Sequence, residues 1–202
     1  DQTGIDLSPD SSRVAISVLD PARRSRDIWI HDLARDLRSR FTFDAGEDWA
    51  SAWSPDGRHL VFSTSRMGRP LDVYQMAVDG SGAEERLVEG GVNKYVTSGS
   101  PDGRFVLYYT GRSGAQAGAD LWVLPMSGDR KPVELFPGST RPQSFAELSP
   151  DGKWIAYSDF LSAAVPDVHI QPYPPDGRSV RVTTGTGRLA AWSPDGRRLV
   201  YR

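Results

Sequence analysis

Short apolar runs rich in β-branched and aromatic residues alternate along this chain with stretches of turn formers. The runs include Val14-Ala15-Ile16, Leu60-Val61-Phe62, Phe105-Val106-Leu107-Tyr108, Trp154-Ile155-Ala156-Tyr157 and Leu199-Val200-Tyr201. Runs this short between turn signals predict strands. Each follows a copy of Ser-Pro-Asp-Gly or a near copy, starting at Ser8, Ser54, Ser100, Ser149 and Ser193, in steps of 46, 46, 49 and 44 residues. At roughly 5% per residue type, a given tripeptide arises about once in 8,000 positions, so five copies in 202 residues mark a repeat.

The motif reads as a turn with a physical cause. Proline presets φ, aspartate accepts nearby backbone N–H groups, and glycine supplies the positive φ that closes the hairpin. The first copy has Ser11 in place of glycine, which predicts a strained or differently shaped turn.

A third strand opens with aspartate 16 to 18 residues after the aspartate of each turn, at Asp27, Asp72, Asp120 and Asp167. Fourth strands follow at Arg40-Phe41-Thr42, Arg86-Leu87-Val88, Val133-Glu134-Leu135 and Val180-Arg181-Val182-Thr183. Residues 34–40 alone could form a short helix, and the repeat register overrides that local preference. Four antiparallel strands per 44 to 49 residues is one propeller blade. The expected fold is all-β, a β-propeller of about four and a half four-stranded antiparallel blades, a fragment of a six- to eight-bladed propeller. The expected units of this single array are 1–44, 45–90, 91–138, 139–185 and a partial 186–202. Trp53, Phe62, Tyr108, Tyr157, Tyr201 and the other aromatics at matching positions are assigned to the core between blades.

Net charge is −2, which argues against a general nucleic-acid surface, and there is no cysteine for a disulfide framework or a thiolate metal site. No apolar run approaches membrane-spanning length. The Arg23-Arg24-Arg26 cluster and the acid pairs Glu47-Asp48 and Glu84-Glu85 read as solvated loop charge.

The segment from Trp53-Ser54-Pro55-Asp56-Gly57 through Leu60-Val61-Phe62, Ser65-Arg66 and Asp72-Val73-Tyr74 resembles the repeat of TolB-like β-propellers. Leu121-Trp122-Val123-Leu124-Pro125, Gly128-Asp129-Arg130-Lys131-Pro132 and Gln171-Pro172-Tyr173-Pro174 are similar to propellers fused C-terminally to bacterial serine/threonine kinases. The resemblance implies a non-enzymatic binding or sensor module for a protein, peptide or small ligand, in the periplasm or otherwise outside the cytoplasm. The same repeats occur in prolyl-oligopeptidase-like serine peptidases, whose propeller would gate a catalytic domain absent from this chain. That is the alternative.

No catalytic set, cofactor or metal site is expected. Gly111-Arg112-Ser113-Gly114 lacks the spacing of a nucleophile elbow, and His31, His59 and His169 are isolated. Asp10, Asp56, Asp102, Asp151 and Asp195 are assigned to turn stabilisation, because acids a blade apart cannot converge on one ion. Strand direction sends the uniform Ser-Pro-Asp turns to one end of each blade. The variable segments 20–26, 66–70, 112–119 and 159–166 go to the other, with Asp48-Trp49, Asn93-Lys94-Tyr95 and Arg141 to Gln143 in loops between blades. Diverse loops on a rigid scaffold are where binding concentrates, and Arg, Tyr and Trp dominate hot spots. Trp49, Arg66, Tyr95, Arg112 and Arg141 are therefore the candidate contacts.

Overall fold

The computed structural model describes residues 4–68, 70–111, 119–162, 165–184 and 187–202. It separates into two compact units, Asp1–Val96 and Thr97–Arg202, the division falling inside one strand. In the first unit, β1 (Ile5–Leu7), β2 (Arg13–Asp20), β3 (Ser25–Asp32) and β4 (Leu37–Arg40) form one antiparallel sheet in sequence order. A second such sheet comprises β5 (Asp48–Trp53), β6 (His59–Thr64), β7 (Asp72–Ala77) and β8 (Glu85–Val88). A third contains β9 (Asn93–Gly99), which carries the division, with β10 (Phe105–Gly111), β11 (Leu121–Pro125) and β12 (Val133–Glu134). The fourth holds β13 (Gln143–Leu148), β14 (Trp154–Ser162), β15 (Val165–Pro172) and β16 (Val180–Arg181). β17 (Ala191–Trp192) and β18 (Leu199–Val200) pair as a two-stranded sheet.

This is the meander of propeller blades, and the only helical element among the described residues is a 3-10 turn at Arg66–Gly68. Residues 37–40 are strand, as the repeat register requires.

Each unit has its own core. In the first, Ala15, Ile28, Ile30, Phe41, Trp53, Leu60 and Phe62 pack together, with the Phe41 and Phe62 rings edge to face at 5.7 Å. In the second, Phe105, Leu107, Leu121, Leu135, Ala146, Leu148, Ile155 and Tyr157 do so. Trp53, Phe62, Tyr108 and Tyr157 are buried as their repeat positions predict, whereas Tyr201 is 48% exposed. It follows β18 in the two-stranded sheet.

The turns show why the motif needs each residue. The Ser8 hydroxyl donates to Asp10 at 2.6 Å and accepts the Arg13 amide at 2.9 Å, while the Asp10 carboxylate accepts the Ser12 amide at 3.0 Å. Ser54, Ser149 and Ser193 repeat this arrangement with Asp56, Asp151 and Asp195. Bonds to Ser8 and Ser12 hold the Asp10 carboxyl down at about 2, and bonds from Arg104 and Ser100 hold Asp102 equally low. Ser11 takes φ 57°, close to the 65° of Gly57. The first turn therefore keeps the shape of the others and bears the strain of a Cβ in the left-handed region.

Candidate functional site

At the end of each blade opposite these turns, the strands carry buried charge where the sequence predicts loops. Asp48 and Lys94 are not loop residues. They lie at the starts of β5 and β9, 0% and 4% exposed. Burial raises the Asp48 carboxyl to about 6, despite the approach of the Thr42 and Thr64 hydroxyls. Neither of its oxygens closes a hydrogen bond of good geometry. Lys94 donates to Asp72 at 2.9 Å. Glu84, also expected to be solvated, pairs with Arg66.

Asp27 and Asp167, expected to open the third strands, lie two residues inside β3 and β15 and anchor the buried charge there. Arg40 reaches from β4 to Asp27 at 2.7 Å, and its Nε donates to the Thr42 carbonyl. The Thr42 hydroxyl in turn accepts the Ile28 amide at 2.8 Å. Arg181, Asp167, Thr183 and Val168 repeat the arrangement, with a 2.6 Å ion pair. In each pair both carboxylate oxygens find a partner, as a buried charge requires.

The candidate contacts stand on this layer. The Trp49 ring is half-buried, and the Arg26 guanidinium lies over it at 4.4 Å from the centroid. Arg26 lies in β3 and is only 9% exposed, so it is not solvated loop charge, whereas Arg23 and Arg24 are exposed in the turn before it, Arg23 approaching Asp27 at 3.6 Å. Arg66 bonds Asp44 at 3.0 Å and covers the Tyr74 ring at 4.9 Å. The Tyr95 hydroxyl accepts from Asn93 at 3.3 Å. These three belong to the first unit, and Trp49 and Tyr95 sit on strands rather than in loops. In the second unit, exposed Arg141 approaches the buried Asp159 carboxylate at 3.5 Å. Arg112 lies outside the described residues.

Sequence reasoning missed Asp48, Lys94 and Asp159 as buried groups. The available signal was the register, since Asp48 and Lys94 fall where β5 and β9 begin and Asp159 lies within β14, opposite Asp167. His169 is half-buried beside Tyr157, with ring centroids 5.7 Å apart and Nδ1 3.0 Å from the Ser179 hydroxyl. Among the described residues no three His, Asp or Glu side chains are placed to hold a metal ion, and no helix is long and apolar enough to cross a membrane.

Residues 5–123 match the model of the TolB β-propeller domain. The structure of TolB from Acinetobacter baumannii superposes with a TM-score of 0.80 at 23% identity, over 97% of this chain and 47% of that one. A structure described as TolB from Agrobacterium tumefaciens gives 0.78 at 22%, over 98% and 74%. A prolyl endopeptidase gives 0.64 at 11%, over 94% and 30%. The chain thus spans about half the length of the Acinetobacter protein, and identities this low carry the fold alone.

Proposed function

The chain belongs to the TolB β-propeller domain family, and from that membership we propose that it is a non-enzymatic module binding a protein or peptide outside the cytoplasm. Its contacts lie at the blade ends opposite the Ser-Pro-Asp turns: Trp49, Arg66 and Tyr95 in the first unit and, separately, Arg141 in the second, with Arg112 assigned from the sequence alone. The observation that carries this reading is the preorganisation of Trp49 and Arg66. Each is held by a guanidinium–ring contact, and Arg66 by ion pairs as well, above a rigid strand scaffold. Anchors fixed in advance lose little entropy on binding. The resemblance of the C-terminal segment to kinase-fused propellers supports a more specific form, the sensing domain of a bacterial protein kinase.

A photo-crosslinking residue at 49 or 141, compared with one at 80 or 177 in turns at the opposite blade end, tests the face in the native host. Adducts with a partner are expected from 49 and 141. Adducts from the turn positions alone would overturn the assignment. A catalytic domain with a Gly-x-Ser-x-Gly elbow in the same polypeptide would replace the binding module by a peptidase's gating propeller.

A further inference from the structure

Clefts between successive Ser-Pro-Asp turns are built alike: Gly57 stands over Pro9 in the first unit, and Gly152 over Pro101 and Gly196 over Pro150 in the second. A Cβ added to Gly57 would stand 3.9 Å from Pro9 Cδ, and one added to Gly152 would stand 3.8 Å from Pro101 Cδ. The two glycines have φ 65° and 69°. The clefts differ in what fills them. In the first unit Arg13, five residues past Ser8, donates from Nη2 to the Gly57 carbonyl at 2.8 Å. Its guanidinium lies 4.8 Å from the Trp53 ring centroid. In the second unit the residue five past Ser100 is Phe105, which has no donor to offer Gly152. The space remains open as a cavity of about 440 Å³ lined by Phe105, Gly152, Tyr173, Asp102 and Asp151 among others. The Phe105 and Tyr173 rings are 4.7 Å apart.

We propose that this second cleft receives the guanidinium of an arginine side chain from a polypeptide partner, in the place that Arg13 fills in the first. The chemistry fits that group. A guanidinium is planar and weakly hydrated, stacks on aromatic faces and still donates to a carbonyl. Asp102 and Asp151 stand at the rim. Arg104 and Lys153 also stand there, with Arg104 Nε 2.5 Å from Asp102 and Lys153 Nζ 4.0 Å from Asp151. Their side chains are 75% and 77% exposed, so they leave the cavity open and hold the rim near neutrality. A near-neutral rim exerts little pull on a compact ammonium, and the stacking and multiple donors of guanidinium decide the preference. This cleft lies at the turn end of the blades, so its failure would leave the contact face proposed above untouched.

Titration of the full chain with N-acetyl-arginine amide, followed through backbone amides by NMR, tests the proposal. Saturable shifts centred on Gly152, Phe105 and Tyr173 are expected, with a Kd on the order of 1 mM for so small a probe. N-acetyl-citrulline amide and N-acetyl-lysine amide should each bind about tenfold more weakly or worse. Arg13→Ala, with its spectrum confirming the fold, should open the first cleft and add shifts at Gly57 and the Trp53 indole. Tyr173→Leu should weaken the response at Gly152. Absent or unsaturable shifts, equal binding of citrulline or lysine amide, or a folded Arg13→Ala chain without new shifts at Gly57 would each overturn it.

Discussion

Trp53 and Asp6 are joined twice across neighbouring blades. The Trp53 amide donates to the Asp6 carboxylate at 2.9 Å, and the indole Nε1 donates to the Asp6 carbonyl at 3.1 Å. Trp192 and Glu147 repeat the pair in the second unit at 3.2 and 3.3 Å. The tryptophan before each of these two turns is thus a tie between the first strands of successive sheets as well as a core ring. Trp53→Phe keeps most of the ring and removes the Nε1 donor, so it should cost about 1 kcal/mol or more. Asp6→Ala also frees the strand amide and should cost more. Denaturant melts showing no loss for Trp53→Phe would remove the indole from the tie.

Burial raises the carboxyls of Asp6 and Asp48 to about 6 from an ordinary 3.8. A raised folded pKa means that the folded state binds more protons between those values, so stability falls as pH rises from about 4 to about 6. The turn acids act in the opposite sense and lower down. Asp10 and Asp102, held at about 2, contribute stability that is complete above about 4 and lost as pH falls through about 2. Asp48→Asn removes the buried charge, and its amide can donate to the Thr64 hydroxyl, which closes no hydrogen bond in the native protein. The variant should match wild type at pH 4 and gain on the order of 1–3 kcal/mol at pH 7.5. Urea midpoints at the two pH values measure this, and an unchanged or lowered midpoint at pH 7.5 would show that Asp48 is stabilised as an anion.

What was legible in the sequence follows from how far each cause reaches. The Ser-Pro-Asp turns could be read because their bonds close within five residues, from the Ser8 hydroxyl to the Arg13 amide. The aspartates opening the third strands were visible as a series. Their cationic partners were not, since Arg40 and Arg181 arrive from another strand 13 and 14 residues away. Asp48 read as loop charge because nothing local distinguishes Glu47-Asp48 from a solvated pair. The hydroxyls that approach it, those of Thr42 and Thr64, come from segments on either side of it in sequence. The clefts were missed although Arg13 and Phe105 occupy one repeat position. Only the carbonyl of Gly57, 44 residues from Arg13, reveals what that position does.

The ion pairs at the third strands should differ in worth. Arg181 holds the buried Asp167 carboxylate at 2.6 Å. Arg86 is 3.9 Å from Asp72, which keeps Lys94 at 2.9 Å. Removing a close partner from a buried charge costs about 3 kcal/mol, whereas a distant one, whose carboxylate keeps another close partner, contributes about 1 kcal/mol or less. Arg181→Ala should therefore lower stability well beyond Arg86→Ala, and Lys94→Ala should resemble the former. Equal losses for Arg181→Ala and Arg86→Ala in paired urea melts would refute this ordering.

The first turn carries a correctable strain. Ser11 holds φ 57° where Gly57, Gly103, Gly152 and Gly196 hold 65° to 71°. A side chain in the left-handed region costs roughly 1 kcal/mol, which glycine avoids, while glycine gives back part of the gain through a freer unfolded chain. Ser11→Gly should therefore stabilise by about 0.5 kcal/mol. At Gly103 the argument runs the other way: a valine there meets the full left-handed penalty plus the bulk of β-branching, so Gly103→Val should destabilise by about 1 kcal/mol or more. Ser11→Val begins from a position already strained and should cost less than Gly103→Val. Equal losses for the two valine variants would mean that Ser11 does not share the left-handed turn.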